Sequence, residues 1–236
     1  MTLLDFICRV LVLDWDGVVG KTEGYLEENL EQAARFAGLP TRMLLDYIGL
    51  LKQGLVEMRS SLPGIIPLVW PDIKPEQGRL FAFHFREQEK RNPYPPCEGS
   101  IEALHKVHAL GVPICIVTAN EPEYFYGHRL PSLKLEDFPF AVVSTLVNGI
   151  TKPDTRVLRP IFDAFPSVPS QEMVYVGDWI TDCQVAYDSF MRFIAILSGF
   201  VPKHIFIARG VPEQHIFELL IDVIRLMLPG REDPRS

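Results

Sequence analysis

Apolar and polar positions follow two rhythms along this chain. Residues 10–13 (Val-Leu-Val-Leu) form an unbroken apolar run that leads directly into Asp14-Trp15-Asp16-Gly17. Unbroken β-branched and leucine runs mark strands buried on both faces of a parallel sheet. The signature recurs at 113–117, 140–144, 173–176 and 192–197, which predicts five strands. Between the first two the rhythm is helical. Residues 25–37 place Leu26, Leu30, Ala33, Ala34 and Ala37 on one face and Glu27, Glu28, Glu31 and Arg35 elsewhere, and Gly38-Leu39-Pro40 stops them. Thr41 is placed to cap a second helix over 42–52. Pro75 opens a third to about Arg91, striped by Leu80, Phe81, His84 and Phe85. Residues 54–74, broken by Gly54, Pro63, Gly64, Pro67 and Pro71, give no placeable element, and 92–96 reads as a stiff linker.

Beyond the linker, helices are predicted at 100–110 (Ser100 as cap, Gly111 as stop), near 155–165, near 180–189 and over 212–228. Pro160 gives the second of these a kink or a late start. Strands alternating with helices mean βαβ units and a parallel sheet. The all-helical stretch interrupts that alternation and reads as an insertion. The expected fold is α/β, with residues 1–19 and 93–236 forming a parallel-sheet core and residues 20–92 an inserted helical domain.

Composition narrows the function. The chain has 236 residues, enough for a full core, and a formal net charge of −7 that argues against a general nucleic-acid binder. No run of 18 apolar residues exists, the greasy C-terminal segment being interrupted by Asp222 and Arg225, so no membrane span is expected. The N-terminus has no basic leader, and Cys8, Cys97, Cys115 and Cys183 form no Cys-x-x-Cys pair. Free thiols and a cytoplasmic location are the expectation. Oligomeric state leaves no mark on the sequence.

Each predicted strand runs into polar residues. The first ends in Asp14 and Asp16, the second in Thr118-Ala119-Asn120, and the third leads on to Thr151-Lys152-Pro153. The fourth ends in Gly177-Asp178-Trp179-Ile180-Thr181-Asp182. Parallel strands bring these ends to one rim, where open α/β sheets bind ligands. Two like charges about 4 Å apart repel by roughly 4 kcal/mol at an effective dielectric of 20, so the aspartates call for a positive partner. Mg²⁺ and Lys152 fit that need. Phosphoryl transfer uses such a set: a carboxylate nucleophile, a second acid to move protons, hard oxygen ligands for Mg²⁺, and a hydroxyl with an ammonium to hold phosphoryl oxygens.

Asp14-Trp15-Asp16-Gly17, Thr118, Lys152-Pro153 and Gly177-Asp178-x-x-x-Asp182 resemble, in order, the four signature motifs of the haloacid dehalogenase-like phosphatases. The resemblance implies a Rossmann-like core with an inserted helical cap, as in phosphoglycolate phosphatases and β-phosphoglucomutases. It makes Asp14 the nucleophile and a metal ligand, and Asp16 the general acid/base with its carbonyl on the metal. Thr118 would bind the phosphoryl group and Lys152 would stabilise Asp14 and the phosphate, while Asp178 and Asp182 would complete the Mg²⁺ site. Ala119 and Asn120 belong to the substrate side, with direct contact by Asn120 left open. The implied activity is Mg²⁺-dependent hydrolysis of a small phosphorylated metabolite through an aspartyl-phosphate. A phosphomutase and a non-catalytic phospho-ligand binder are the alternatives. Val18 and Trp179 depart from the usual residues, and Trp179 is expected to narrow the rim. The acid at Asp16 argues against dehalogenation.

Other features carry less. Gly17–Thr22 has the tail of a P-loop but Trp15 stands where the first glycine is needed. Lys21 is a solvated lysine or a substrate contact at the insertion. His105 and His108 lie three apart with no third metal ligand. Phe81, Phe83, Phe85 and Trp70 read as packing between cap and core, with the lining of a substrate pocket as the alternative. Arg42, Lys52 and Arg59 read as surface residues, with the reading of an anionic substrate by the cap as theirs.

Overall fold

The computed structural model describes residues 8–53, 55–56, 62–146 and 149–227. Six parallel strands form one sheet: β1 (Val10–Leu13), β2 (Ile114–Val117), β3 (Val142–Ser144), β4 (Met173–Gly177), β5 (Arg192–Ile196) and β6 (Ile216–Phe217). Their order is β3-β2-β1-β4-β5-β6. β1 pairs with both β2 and β4, placing Leu13 between Ile116 and Val176. The order reverses direction beside β1, and a crevice opens at the carboxyl ends of such neighbours.

Helices cover both faces of the sheet. One core layer joins Leu11, Leu13, Val174 and Ile194 to α5 (Ser100–Ala109) and α11 (Leu220–Met227). The other joins Val10, Val12, Tyr175 and Phe193 to α8 (Arg159–Ala164), α9 (Ile180–Asp188) and α10 (Lys203–Ala208). Alternate residues of each strand therefore face opposite layers, and every residue of β1, β2 and β4 is buried. The segment 122–132 is helical throughout, comprising α6 (Pro122–Tyr124), one π turn (Phe125–Arg129) and α7 (Leu130–Ser132).

Among the described residues, 25–91 hold four helices, α1 (Tyr25–Phe36), α2 (Thr41–Lys52), α3 (Leu62–Val69) and α4 (Pro75–Arg91). They share a third hydrophobic cluster, in which Leu30, Leu44, Ile48, Leu51, Trp70, Phe81 and Phe85 meet Phe200 from the sheet side. Trp70 and Phe81 meet edge to face at 5.0 Å. The chain leaves the sheet and returns to it through adjacent segments, with Lys21 N–H donating to Pro95 C=O (2.7 Å) and Cys97 N–H to Val19 C=O (2.8 Å).

Several local expectations are corrected. The region 212–228 is not one helix: a 3₁₀ turn at Glu213–His215, β6 and α11 replace it. Ile216 and Phe217 pair with Ala195 and Ile196, and this edge pairing wins over the helical spacing. Ser100 does not cap α5, since its hydroxyl donates to Val19 C=O at 3.0 Å while Gly99, at φ +68°, holds the cap position. Thr41 is the first residue of α2 and makes no capping bond. Pro160 produces the late start: a 3₁₀ turn at Thr155–Leu158 precedes α8. Strand β3 begins at Val142 rather than 140. The expectations for residues 1–7, Arg59 and Leu228 lie outside the described residues.

Candidate active site

Asp14 and Thr118 each stand one residue beyond a buried strand, and both are fixed by the sheet ladder. Asp14 N–H donates to Val176 C=O and Thr118 N–H to Ser144 C=O, both at 2.9 Å. Asp178 follows β4 directly, and Asp182 lies four residues on in the first turn of α9. Between Asp14 and the helical layer the chain turns tightly, with Gly17 N–H donating to Gly20 C=O at 2.7 Å. Gly17 has φ +83°, and a Cβ there would collide with the Asp178 carboxylate. Glycine is required twice over, by backbone and by close approach.

Carboxylate oxygens of Asp14, Asp178 and Asp182 lie within 4.8 Å of one another, and all three residues are buried. Lys152 is buried among them, with Nζ 2.9 Å from Asp14 Oδ1 and hydrogen-bonded to Asp182 Oδ1. Tyr175 Oη also donates to Asp182 Oδ1 (3.1 Å), and Trp179 N–H donates to Asp182 Oδ2 (3.0 Å). Asp182 thus has both oxygens engaged by donors of its own sheet and helix, and it orients Lys152. Ser198 Oγ donates to Asp178 Oδ2.

Burial raises the Asp14 pKa from its ordinary value to about 7, with Lys152 opposing the rise and Asp182 and Asp16 adding to it. Burial likewise raises Asp178 well above the usual carboxylate range, reinforced by Asp14 and Asp182. Burial would lower Lys152, but the charges of Asp14 and Asp182 outweigh it and raise its pKa. The cluster holds more negative charge than Lys152 neutralises. A hard divalent cation among Asp14 and Asp178 meets that imbalance, because Mg²⁺ takes a few carboxylates and keeps water or phosphate in its other positions.

Asp16 leans away from this cluster. Asn120 Nδ2 donates to Asp16 Oδ2 at 2.7 Å and to Thr118 Oγ1 at 2.8 Å, so Asn120 joins the second strand end to the first. An Arg129 nitrogen lies 3.4 Å from Asp16 Oδ1. Arg129 also donates to Glu89 Oε1 of α4 at 2.6 Å, and Arg86 donates to Glu89 Oε2 at 2.8 Å. The Arg129 guanidinium lies over the Tyr94 ring, 4.1 Å from its centroid. Burial would lower the Arg129 pKa, and the charges of Asp16 and Glu89 more than reverse that.

Of the candidate residues, Asp14, Asp16, Ala119, Asn120, Lys152 and Asp178 line one cavity of about 220 Å³ between the sheet rim and the helical layer. Thr118 and Asp182 join that lining through hydrogen bonds, Thr118 Oγ1 accepting from Asn120 and Asp182 Oδ1 from Lys152. Trp179 also lines the cavity and packs against Phe200, 6.0 Å between ring centroids. Arg42 pairs with Asp46 on the surface, and Lys52 pairs with Glu27 at 2.7 Å. His105 and His108 meet the edge of Phe138. Phe81 and Trp70 are buried in the helical cluster, Phe85 reaches the cavity, and Phe83 is exposed.

Sequence reasoning missed Arg129, Glu89, Tyr175 and Ser198. Glu89 had a signal, since Phe81, Phe85 and Glu89 share one helical stripe and a carboxylate there needs a buried partner. Ser198 had one too, as the polar residue just past the fifth strand. Arg129 had none, because it reaches Asp16 and Glu89 only through tertiary structure.

Residues 8–187 match the family described as haloacid dehalogenase-like hydrolase. The chain belongs to that family. Solved structures share the fold across almost the whole chain. A protein predicted to be a phosphoglycolate phosphatase, from Haemophilus somnus, superposes with a TM-score of 0.70 at 16% identity, covering 94% of this chain and 98% of its own. A protein provisionally named a β-phosphoglucomutase, from Thermotoga maritima, gives 0.68 at 21% identity, with 93% and 100% covered. A haloacid dehalogenase-like family hydrolase from Streptococcus pneumoniae gives 0.72 at 13% identity, with 97% and 100% covered. No curated protein matches the chain significantly.

Proposed function

We propose that this protein is a Mg²⁺-dependent phosphomonoester hydrolase acting on a small phosphorylated metabolite, with residues 20–92 serving as a cap over the site. The observation that carries the reading is Asp14 on Lys152 at the rim, with Asp16 two residues away facing the same cavity. An Asp14 carboxylate oxygen attacks phosphorus, the bond to the leaving oxygen breaks, and Asp16 gives that oxygen its proton. Water then attacks the aspartyl-phosphate, Asp16 takes back a proton, and phosphate and free Asp14 result. Thr118 and Lys152 hold phosphoryl oxygens as charge builds on them. Asp14, the Asp16 carbonyl and Asp178 would hold Mg²⁺, which supplies charge neutralisation between nucleophile and phosphate. Asp182 keeps Lys152 aimed at Asp14. Asn120 and Arg129 hold the Asp16 carboxylate at the leaving-group side.

Phosphate release measured over a panel of phosphomonoesters, with and without Mg²⁺, tests the reading. Activity should require Mg²⁺ and vanish in Asp14→Asn. Equal release by that variant would overturn the assignment. The likeness to a protein named for phosphoglucomutase chemistry supports a second reading, in which the phosphoryl group returns to the substrate. Isomerisation of a sugar phosphate without free phosphate would establish it.

A further inference from the structure

The half of the cavity facing away from the carboxylates is a hydrocarbon wall. Leu30, Leu44, Ile48, Leu51 and Phe85 from α1, α2 and α4 line it, and Phe200 closes it from the sheet side. Short of the Arg86–Glu89 pair, that side offers the hydroxyls of Thr22 and Tyr47 and the indole N–H of Trp179, which is buried against Phe200 with no hydrogen-bond partner. Three basic residues line the cavity among the described residues, and carboxylates hold each of them. Lys152 sits between Asp14 and Asp182, Arg129 between Asp16 and Glu89, and Arg86 on Glu89. Against them stand Asp14, Asp16, Glu89, Glu121 and Asp178.

Resting on the hydrolase reading above, we infer that the substrate is a phosphomonoester of a compact apolar alcohol, aliphatic or aromatic, with no second charged group. A second phosphate or a carboxylate would meet no uncommitted cation and would face an acidic lining. A sugar would bury its hydroxyls against leucine, isoleucine and phenylalanine with few partners, and unpaired buried polar groups are costly. An alkyl or aryl group there loses only its contact with water, which favours binding. The phosphate end stays at the rim, where the charged residues are.

The test uses the full chain with Mg²⁺ and a homologous series, ethyl, butyl and hexyl phosphate, beside 2-phosphoglycolate and glucose 6-phosphate. Each methylene buried in the wall should raise kcat/KM roughly three- to fourfold, so hexyl phosphate should exceed both polar esters by more than about tenfold. Ile48→Asn should flatten the series. Leu26→Gln, on the half-buried side of the same wall, gives a second variant if the first does not fold. A flat series in the wild type, or a preference for 2-phosphoglycolate or glucose 6-phosphate, overturns the inference. The hydrolase reading survives that result as long as release depends on Asp14. Absence of release from every ester in the set overturns both.

Discussion

At the scale of single residues, the site is a balance between crowding and charge. Gly17 lets the backbone turn at φ +83° and leaves room for the Asp178 carboxylate. Gly17→Ala should therefore cost about 1–3 kcal/mol in stability. It should also weaken Mg²⁺ binding, read by thermal melting and by titration of the metal. Asp14→Asn removes the proposed nucleophile and one buried carboxylate together. Phosphate release should fall to background while the melting temperature of the metal-free protein stays level or rises, because a neutral amide escapes the burial penalty that lifts Asp14 to about 7 and the added repulsion from Asp182 and Asp16. A large drop in melting temperature would contradict this account of the cluster. Arg129→Gln is expected to cost roughly 3–5 kcal/mol, since it leaves Glu89 buried with Arg86 as its remaining ionic partner and frees one side of Asp16. Denaturant unfolding measures the first effect. A changed pH profile of kcat would report the second.

At the scale of elements, the strands give positions and the helices give surroundings. Parallel pairing extends one residue beyond β1 and β2, so Asp14 and Thr118 leave the sheet at fixed places. The helix α4 has a double character. Its stripe of Phe81 and Phe85 packs into the helical cluster, and Glu89, a turn further, enters the ion-pair network below. Phe81→Ala should cost about 3–5 kcal/mol by opening a cavity against Trp70. Denaturant unfolding should show that loss, with Asp14 and Lys152 still paired at the rim. The segment 54–74 escaped the sequence because its glycines and prolines read as breakers. In the fold α3 runs through Pro67, with Ile65, Ile66 and Val69 packed on the helical cluster. Tertiary burial there outweighs weak local propensity.

At the scale of the whole molecule, the proposed Mg²⁺ would compete with protons for the same carboxylates. Asp14 and Asp178 both have folded-state pKa values raised above those of an unfolded chain. Between pH about 4 and 7 the native state then binds more protons than the unfolded one, so metal-free stability falls as pH rises through that window. Lys152, shifted upward, contributes stability below pH 10.5 and does not alter the trend in that window. Mg²⁺ requires the deprotonated carboxylates, so its stabilising effect should grow over the same range. Melting temperatures at pH 5, 6, 7 and 8, with and without Mg²⁺, check both signs. Asp178→Asn should reduce the pH slope of the metal-free protein.

The sequence by itself determined the sheet and the residues at its rim. Unbroken apolar runs report strands buried on both faces, and parallel pairing carries the residue after each run to one edge. Asp14, Thr118 and Asp178 were legible for that reason, and Lys152, further along the loop after β3, through the Lys152-Pro153 motif. The order of the strands, the two-residue β6 and the interruption at 213–217 were decided by pairing partners far away in the chain. So was the Arg129–Glu89–Arg86 network, whose residues come from two elements that meet only when the helical layer closes on the sheet. The character of the cavity followed the same rule. Each of its apolar residues reads in sequence as ordinary helix core, and only their convergence opposite Lys152 turns that core surface into the wall of a site.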